Sequence, residues 1–252
     1  MNETVNNEKK TGYVAHFDML GCRKAVEYSD RNTWEALNYL FSLIPYIIRR
    51  GQQETKIDES TGQKIRTSDH IRIINISDTI IIYTEQIKFE DFFSLFVTAS
   101  TIFMRSLVDA GIPLRGGVAS GDFYIDPTKN LYSGMPFIRA YDAGETAQWL
   151  GIVIDPDTYR VNLKDMPNIK DIPYFVKWDV PVKSGKTVKT EKKIVVNWPF
   201  VYSKIENFNF PKSAKELYER KCHCLFGPYE KLDNEVKRKY ENTQAFIDAQ
   251  LK

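Results

Sequence analysis

The sequence predicts an α+β fold whose first part has the ferredoxin-like order β-α-β-β-α-β, followed by a C-terminal β-hairpin and helical extension. Three observations predict it: β-branched runs of strand length, two apolar stripes at helical spacing between them, and the order in which these alternate. In such a sheet the third strand lies antiparallel between the first and second, and the helices pack on one face. The 252 residues suit one large domain with an extension.

The chain begins with an apolar strand from Tyr13 that stops at a carboxylate, Asp18, followed by a turn containing Gly21. Apolar residues then recur every three or four positions up to Ile48, and Gly51 ends the pattern, which predicts a helix. Residues 52–69 are polar and typical of a loop or an irregular hairpin.

The second and third strands are predicted from two β-branched runs, 71–76 and 79–83. Only Ser77 and Asp78 separate the runs, so the sequence indicates a hairpin with Asp78 at its tip. Phenylalanines at helical spacing then predict a long helix over 89–107, ended by Gly111.

The rest of the first unit is predicted as two short strands around Gly121, at 114–119 and 122–125, a helix over 136–149 and a strand over 151–154. After residue 155 the pattern changes.

In the extension, a strand over 174–180 is followed by a basic loop, 183–193, and by a returning strand, 194–199, which together predict a hairpin. Ser213 caps a helical region, and a final helix is expected over 232–251.

Composition excludes several classes of protein. Hydrophobic residues make up 42% and charged residues 27% of the chain, which is globular and not fibrous or disulfide-framed. The net charge of +2 does not favour a nucleic-acid partner. Uncharged stretches fall short of the ~20 residues of a membrane span. Three cysteines and a polar N-terminus without a signal core favour the cytoplasm.

The strongest functional indication is the pair Asp18 and Asp78. The predicted topology brings the end of the first strand beside the start of the third, so the two carboxylates converge at one end of the sheet. Converging carboxylates repel unless a cation lies between them, and Mg²⁺ or Mn²⁺ prefers such oxygen ligands. Two ions could be held by both aspartates, a backbone carbonyl at Met19 and triphosphate oxygens. The alternative is that both aspartates are solvated turn residues.

Phosphate contacts are predicted at the turn that follows Asp18. Leu20, Gly21 and Cys22 would offer free backbone N–H groups at a helix start, and Cys22 itself could have a lowered pKa there, although packing is its expected role. Arg115 is a secondary phosphate candidate. His16 is expected to be packed, and the consecutive Cys222-His223-Cys224 is expected to be part of a half-buried helix and not a zinc site.

These motifs resemble those of the class III nucleotidyl cyclases. The matching segments cover about residues 13–155 and are Phe17-Asp18-Met19-Leu20-Gly21, Ile76-Ser77-Asp78-Thr79, Leu114-Arg115-Gly116-Gly117-Val118-Ala119-Ser120-Gly121 and Tyr132-Ser133-Gly134 leading into Arg139-Ala140-Tyr141. The resemblance implies a cyclase-like catalytic domain at 13–160, a flexible N-terminus at 1–12 and an extension at 161–252 packed on the same domain.

The sequence departs from the family pattern at the two positions that recognise the nucleotide base and at the transition-state arginine. Where adenylate cyclases of the class read adenine with a lysine and an aspartate, this sequence has Ile74 and Leu131, whose side chains cannot supply those hydrogen bonds. The family's transition-state arginine falls at Asp142, and Arg139, about one helical turn earlier, is the residue expected to replace it.

With these departures, the chain is similar to the pyrimidine cyclases of bacterial Pycsar antiphage systems. The resemblance implies conversion of UTP, or alternatively CTP, to a 3′,5′-cyclic nucleotide and pyrophosphate with two Mn²⁺ or Mg²⁺ ions. It also implies a homodimer with interfacial active sites and a separate effector protein that binds the cyclic product. The alternatives are a catalytically silent nucleotide-binding module and, less favoured because its Gly-Gly-Asp-Glu-Phe signature is absent, a diguanylate cyclase.

Overall fold

The computed structural model describes residues 8–53, 56–57, 64–65, 71–164, 174–205, 209–219 and 225–251. Residues 1–7 of the expected flexible N-terminus and the Cys222-His223-Cys224 run lie outside these ranges, whereas residues 8–12 of that segment belong to the first strand of the sheet.

The strands are β1 (Glu8–Met19), β2 (Lys56–Ile57), β3 (Lys64–Ile65), β4 (Arg72–Ile76), β5 (Thr79–Tyr83), β6 (Leu114–Asp126), β7 (Leu131–Ser133), β8 (Ile152–Ile154), β9 (Phe175–Ser184) and β10 (Thr187–Val196). The α-helices are α1 (Cys22–Tyr28), α2 (Asp30–Gln53), α3 (Phe89–Met104), α4 (Met135–Glu145), α5 (Pro156–Thr158), α6 (Trp198–Ile205), α7 (Ala214–Glu219) and α8 (Asn234–Gln250). Segments of π-helix continue α3 over Arg105–Ala110 and α5 over Tyr159–Leu163, and 3₁₀ turns lie at Pro127–Lys129 and Tyr229–Lys231.

The central sheet has the predicted topology. Its strand order is β4-β5-β1-β6-β8-β10-β9, with β7 paired to β6. Strand β5 lies antiparallel between β1 and β4, and β4 and β5 form the predicted hairpin, in which Ile76 is opposite Thr79. The β1–β5 register places Asp18 opposite Thr79, the residue after Asp78. The fold therefore brings together the two strand ends on which the predicted site depends.

The two helices of the ferredoxin-like unit, α2 and α3, pack on one face of the sheet as predicted, and the added helix α4 covers the other face. Alternate residues of β1, such as Tyr13 and Phe17, join the core formed with α2 and α3. The intervening residues face α4: Val14 packs in a second cluster with Ala140, and the His16 ring contacts that of Tyr141. Because strand alternation points Asp18 the same way as Val14 and His16, the Asp18 side chain lies on the α4 face.

Two boundaries of secondary-structure elements around α4 differ from the prediction. The predicted short strands at 114–119 and 122–125 are one continuous strand, β6, and the helix predicted over 136–149 ends at Glu145. Gly121 explains the first difference, since it stays paired with Gly12 at φ +144°, and a Cβ there would lie 3.2 Å from the side chains of Pro136 and Arg139 on α4. The glycine is required for close approach of α4 and does not end the strand.

The extension continues the sheet. The basic segment 183–193, predicted as a loop, belongs to β9 and β10 except for a two-residue turn at Gly185-Lys186. Strand β10 pairs with β8, so the hairpin is part of the same sheet as β1. The predicted N-cap is present, because the Ser213 hydroxyl accepts a hydrogen bond from the Glu216 amide at 3.1 Å. The last helix, α8, packs near its predicted position through Phe246, which contacts Trp149 and Trp198.

One segment among the described residues, 89–110, is long and apolar enough to cross a membrane by length and composition. Its most apolar window is 83% buried inside the protein, as in the core helix of a folded domain.

Candidate active site

The carboxylates of Asp18 and Asp78 meet at one end of the sheet. Met19 donates its backbone N–H to the carbonyl of Asp78 at 3.1 Å, which fixes the hairpin tip against the end of β1. Ser77, beside Asp78, has a positive φ of 55°, as a tight two-residue turn requires. The structure thus brings together Asp18, Met19 and Asp78, the three residues predicted to hold metal.

A cation already lies beside Asp18. Arg115 is opposite Asp18 on the neighbouring strand, and its Nη2 is 3.4 Å from Asp18 Oδ2. The same guanidinium donates to the Glu145 side chain and, at 2.6 Å, to the Glu145 carbonyl. Arg115 was predicted as a phosphate contact, but here it is a buried link between Asp18 and the end of α4, with 11% of its side chain exposed.

The electrostatics of Asp18 follow from this arrangement. Burial raises the pKa of the Asp18 carboxyl, Arg115 acts in the opposite direction, and the charges of Asp78 and Glu145 raise it again. The site therefore carries more negative charge than Arg115 alone neutralises, and a further cation would stabilise the ionised form of Asp18.

The turn after Asp18 has the conformation of a helix start. Gly21 has φ +73°, a left-handed value that favours glycine, and precedes α1. Leu20 is held by its N–H bond to the carbonyl of Pro113 at 2.9 Å. The Cys22 thiol hydrogen bonds to Asp78, so Leu20, Gly21 and Cys22 lie directly beside the carboxylates.

The suggested lowering of the Cys22 pKa is wrong. Burial is the largest cause of a raised pKa for this thiol, and the negative charge of Asp78, the hydrogen bond to it and the charge of Asp18 act in the same direction. Cys22 is therefore a packed thiol that supports Asp78 and is not an activated nucleophile.

Glu145 and Tyr141 were missed by the sequence analysis. Both lie on α4, one turn apart, on the side that faces Asp18. The charges of Glu145 and Asp18 raise the pKa of Tyr141, with Glu145 the larger cause. Burial lowers the pKa of His16, whose ring packs edge-on against Tyr141 at 5.3 Å, as expected for a packed histidine. The four-residue spacing of Tyr141 and Glu145 was the available signal.

The donor set fits a hard divalent cation. The carboxylates of Asp18 and Asp78 are oxygen donors in a partly buried site with an excess of negative charge, and the Met19 carbonyl could add a third oxygen. Across the described ranges, no group of three or more His, Cys, Asp and Glu side chains is arranged to hold a metal. Further ligands would therefore have to be nucleotide oxygens or water.

Arg139 does not reach the carboxylates within one chain. Its guanidinium donates to the Ser120 carbonyl and lies 3.7 Å from Asp157 and 4.0 Å from Asp155. Ser120 is five residues along β6 from Arg115, which corresponds to about 17 Å at ~3.4 Å per residue. A site containing both Asp18 and Arg139 would need two chains.

The two predicted base-specificity residues also lie apart from Asp18. Ile74 is opposite Ile81 on β5 and packs against the cluster under α4. Leu131 is 52% exposed and lies opposite Asp126, at the far end of β6. Neither offers a polar side chain at these positions.

Comparisons with known proteins support the fold. No protein family matches the chain, and no curated protein does. A solved structure that is similar is the catalytic core of a rhodopsin-guanylyl cyclase with converted specificity in complex with ATPalphaS. The TM-score is 0.52 at 16% sequence identity, and the match covers 76% of this chain and 98% of that chain. The predicted fold, that of a class III cyclase core, is therefore confirmed.

Proposed function

We propose that the protein is a nucleotide cyclase that converts a pyrimidine nucleoside triphosphate, UTP in preference to CTP, to its 3′,5′-cyclic monophosphate and pyrophosphate. The observation that carries this proposal is the convergence of Asp18 and Asp78 beside the Gly21 turn, on a fold shared with a guanylyl cyclase core. Residues 13–160 would form the catalytic domain, with residues 161–252 packed on it.

In this mechanism Asp18, Asp78 and the Met19 carbonyl would hold two Mg²⁺ or Mn²⁺ ions, which supply Lewis-acid activation of the ribose 3′-hydroxyl and charge neutralisation on the phosphates. Arg115 and Glu145 fix the Asp18 carboxylate on the α4 face. The backbone N–H groups of Gly21 and Cys22 would bind the triphosphate, whereas that of Leu20, predicted to be free, is donated to the Pro113 carbonyl. No protein nucleophile is needed, consistent with the raised pKa of the Cys22 thiol.

Arg139 would act from the second subunit of a homodimer. The exposed residues of α4 support such an interface, because Met135, Ile138 and Tyr141 are 57, 53 and 43% exposed at spacings of three residues. In a two-fold dimer, Arg139 of the partner subunit could approach Asp18 and stabilise the charge that develops on the α-phosphate. It would have to leave Asp155 and Asp157 to do so.

The interfacial site can be tested by mixing two inactive variants, Asp78→Asn and Arg139→Ala. Random exchange makes half of the dimers mixed, and each mixed dimer has one intact site out of two, so activity should return to about a quarter of wild type. Arg139→Lys alone, which keeps the charge, is the matched variant. Failure of the mixture to recover activity, with exchange verified, would place both residues in one chain's site.

The preference for a pyrimidine is supported by Ile74 and Leu131, which lack the polar groups that read adenine in related enzymes. UTP is placed before CTP because the resemblance to Pycsar cyclases favours it. That resemblance also supports a cytoplasmic role in antiphage defence, with the cyclic product bound by a separate effector protein.

The substrate is tested by incubating the purified chain with ATP, GTP, CTP and UTP separately in Mn²⁺ and identifying the products by mass. Cyclic UMP is the expected product. Cyclic CMP would correct the base, a cyclic purine nucleotide would refute the pyrimidine assignment, and no product would refute the cyclase.

A second candidate function is a silent module that binds a nucleotide without turning it over. Two observations favour it: Asp142 stands where the related enzymes have an arginine, and Arg139 is engaged by Asp155 and Asp157 in the isolated chain. Binding of UTP without any product would distinguish the module from the enzyme.

A further inference from the structure

A cavity of about 700 Å³ lies between the turn after Asp18 and the C-terminal extension. Leu20, Gly21 and Lys24 line one wall, and Phe226, Leu232 and Val236 line the other. Its volume lies within the range of small-molecule sites, which are concave and mostly apolar with a few polar groups. It shares Leu20 and Gly21 with the proposed nucleotide site, whose carboxylate Asp18 lies on the α4 face of the sheet.

Among the described residues, the ion pairs of the cavity lining leave one lysine unpaired. Lys24 pairs with Asp233 across the cavity, and Lys239 pairs with Glu235 at 3.3 Å. Glu27 is paired with Arg23 outside it, at 2.9 Å. Lys231 lines the cavity, is exposed, and has no ion pair within the part of the chain that the structure describes. An occupant with an apolar body and one negative charge would therefore match the lining.

Aromatic rings of the lining favour a flat occupant. Phe226 on the extension is partly buried, and the Tyr28 ring on α1 is 58% exposed and approaches Gly227. Two rings offered by opposite sides of a cavity can stack on or pack edge-on against an aromatic ligand.

The same phenylalanine supports the turn after Asp18. A Cβ added at Gly21 would lie 3.0 Å from Phe226 Cε1, so the ring sits directly against the backbone of this turn. The turn is also held by the hydrogen bond from the Leu20 N–H to the Pro113 carbonyl, by that from the Ala25 N–H to the Gly21 carbonyl, and by the hydrogen bond of the Cys22 thiol to Asp78. Any ligand that moves or fixes Phe226 must change the freedom of the turn.

We propose that this cavity binds a small amphipathic aromatic anion, and that its occupancy controls the position of the turn formed by residues 20–22. The binding statement is independent of the proposed function. The expected effect on turnover rests on that function, because residues 20–22 are the phosphate-binding turn only if the chain binds a nucleotide.

Binding is tested with 1-anilinonaphthalene-8-sulfonate, an aromatic anion whose fluorescence reports apolar surroundings. Saturable binding of one molecule per chain is expected. Lys231→Gln should weaken it about fivefold, the weight of one exposed ion pair, and Val236→Trp, which fills the cavity, should abolish it. Lys186→Gln, at the exposed β9–β10 turn, is the matched control and should leave binding unchanged. Non-saturable binding, or an affinity unchanged by Lys231→Gln in a fully folded variant, would overturn the site.

Coupling is tested by amide hydrogen exchange of residues 20–28 with and without saturating probe. The probe should slow exchange there and leave the β9–β10 turn unaffected, and Phe226→Ala should remove the effect. Equal exchange with and without bound probe would overturn the coupling. In an active enzyme, the probe should also change turnover in wild type but not in Val236→Trp. If no nucleotide is turned over, the proposed function fails while binding and exchange still decide this proposal.

Discussion

Replacing Arg115 by methionine tests the link between Asp18 and α4. The substitution keeps the apolar stem of the side chain but removes the guanidinium that contacts Asp18, the Glu145 side chain and the Glu145 carbonyl. The variant therefore leaves two carboxylates without their shared cation and one carbonyl without its donor.

The expected loss of stability depends on how deeply the ion pairs of Arg115 are buried. Removing one partner of a fully buried ion pair costs ~3–5 kcal/mol of stability. Asp18 and Glu145 are 28 and 41% exposed, so hydration of their carboxylates compensates for part of the lost interaction energy. We expect a decrease of about 2–3 kcal/mol in the free energy of unfolding, or about 4–12 °C in Tm for a chain of this size. Glu145→Gln alone should lower the free energy of unfolding by about 1 kcal/mol, since Arg115 can still donate to the backbone carbonyl of residue 145.

The assay is urea unfolding in EDTA, where no metal can replace the missing cation. A double-mutant cycle with Arg115→Met and Glu145→Gln should give a coupling of about 1 kcal/mol or more. The control is Arg31→Met, which breaks an exposed pair with Glu35 and should change stability by less than about 0.5 kcal/mol. An Arg115→Met variant as stable as this control, or an additive cycle, would refute the reasoning.

Three other variants test the packing and the electrostatics. Gly117→Ala should lower the free energy of unfolding, measured in urea, by about 2–3 kcal/mol, because its Cβ would overlap the Ala140 carbonyl. The control is Gly185→Ala, where the Cβ would have open space but φ is +61°, and it should lower the free energy of unfolding by only about 1 kcal/mol. Equal losses in the two variants would contradict the close approach of α4 at Gly117. Burial raises the pKa of Tyr83 to about 12 from 10.0, so between these pH values the unfolded chain binds fewer protons and stability falls as pH rises. Tyr83→Phe should make that fall shallower in unfolding curves taken from pH 10 to 12, and an unchanged slope would contradict the assignment. Cys22→Ser keeps a hydrogen-bond donor for Asp78 and should leave turnover nearly unchanged in a product assay, whereas a loss as large as that of Asp78→Asn would give the thiol a chemical role.

The hairpin and the convergence of Asp18 with Asp78 could be predicted from the sequence. Two β-branched runs separated by two residues allow few arrangements, and the β-α-β-β order then places the hairpin beside the first strand. Together these local patterns brought the two carboxylates to one end of the sheet without any knowledge of side-chain contacts.

Other features depend on packing that local patterns do not encode. Helical spacing predicts a helix at α4 but not which face of the sheet it covers, and so Glu145 was not connected with Arg115. Gly121 looked like a strand breaker because its role depends on its contact with Pro136 and Arg139 of α4. The sequence predicts a loop for residues 187–193 of β10, because this part of the strand is largely exposed and shows no alternation of apolar residues.

The central claim is tested most directly by Asp78→Asn in the assay that identifies products from UTP and CTP by mass. Loss of a ligand to ions that contribute several kcal/mol to the transition state should reduce product by about 10³-fold or more, with an unchanged circular dichroism spectrum. Asp179→Asn, a 63% exposed aspartate on the extension, is the matched control and should form cyclic product at the wild-type rate. Wild-type product formation by a folded Asp78→Asn variant would contradict the account.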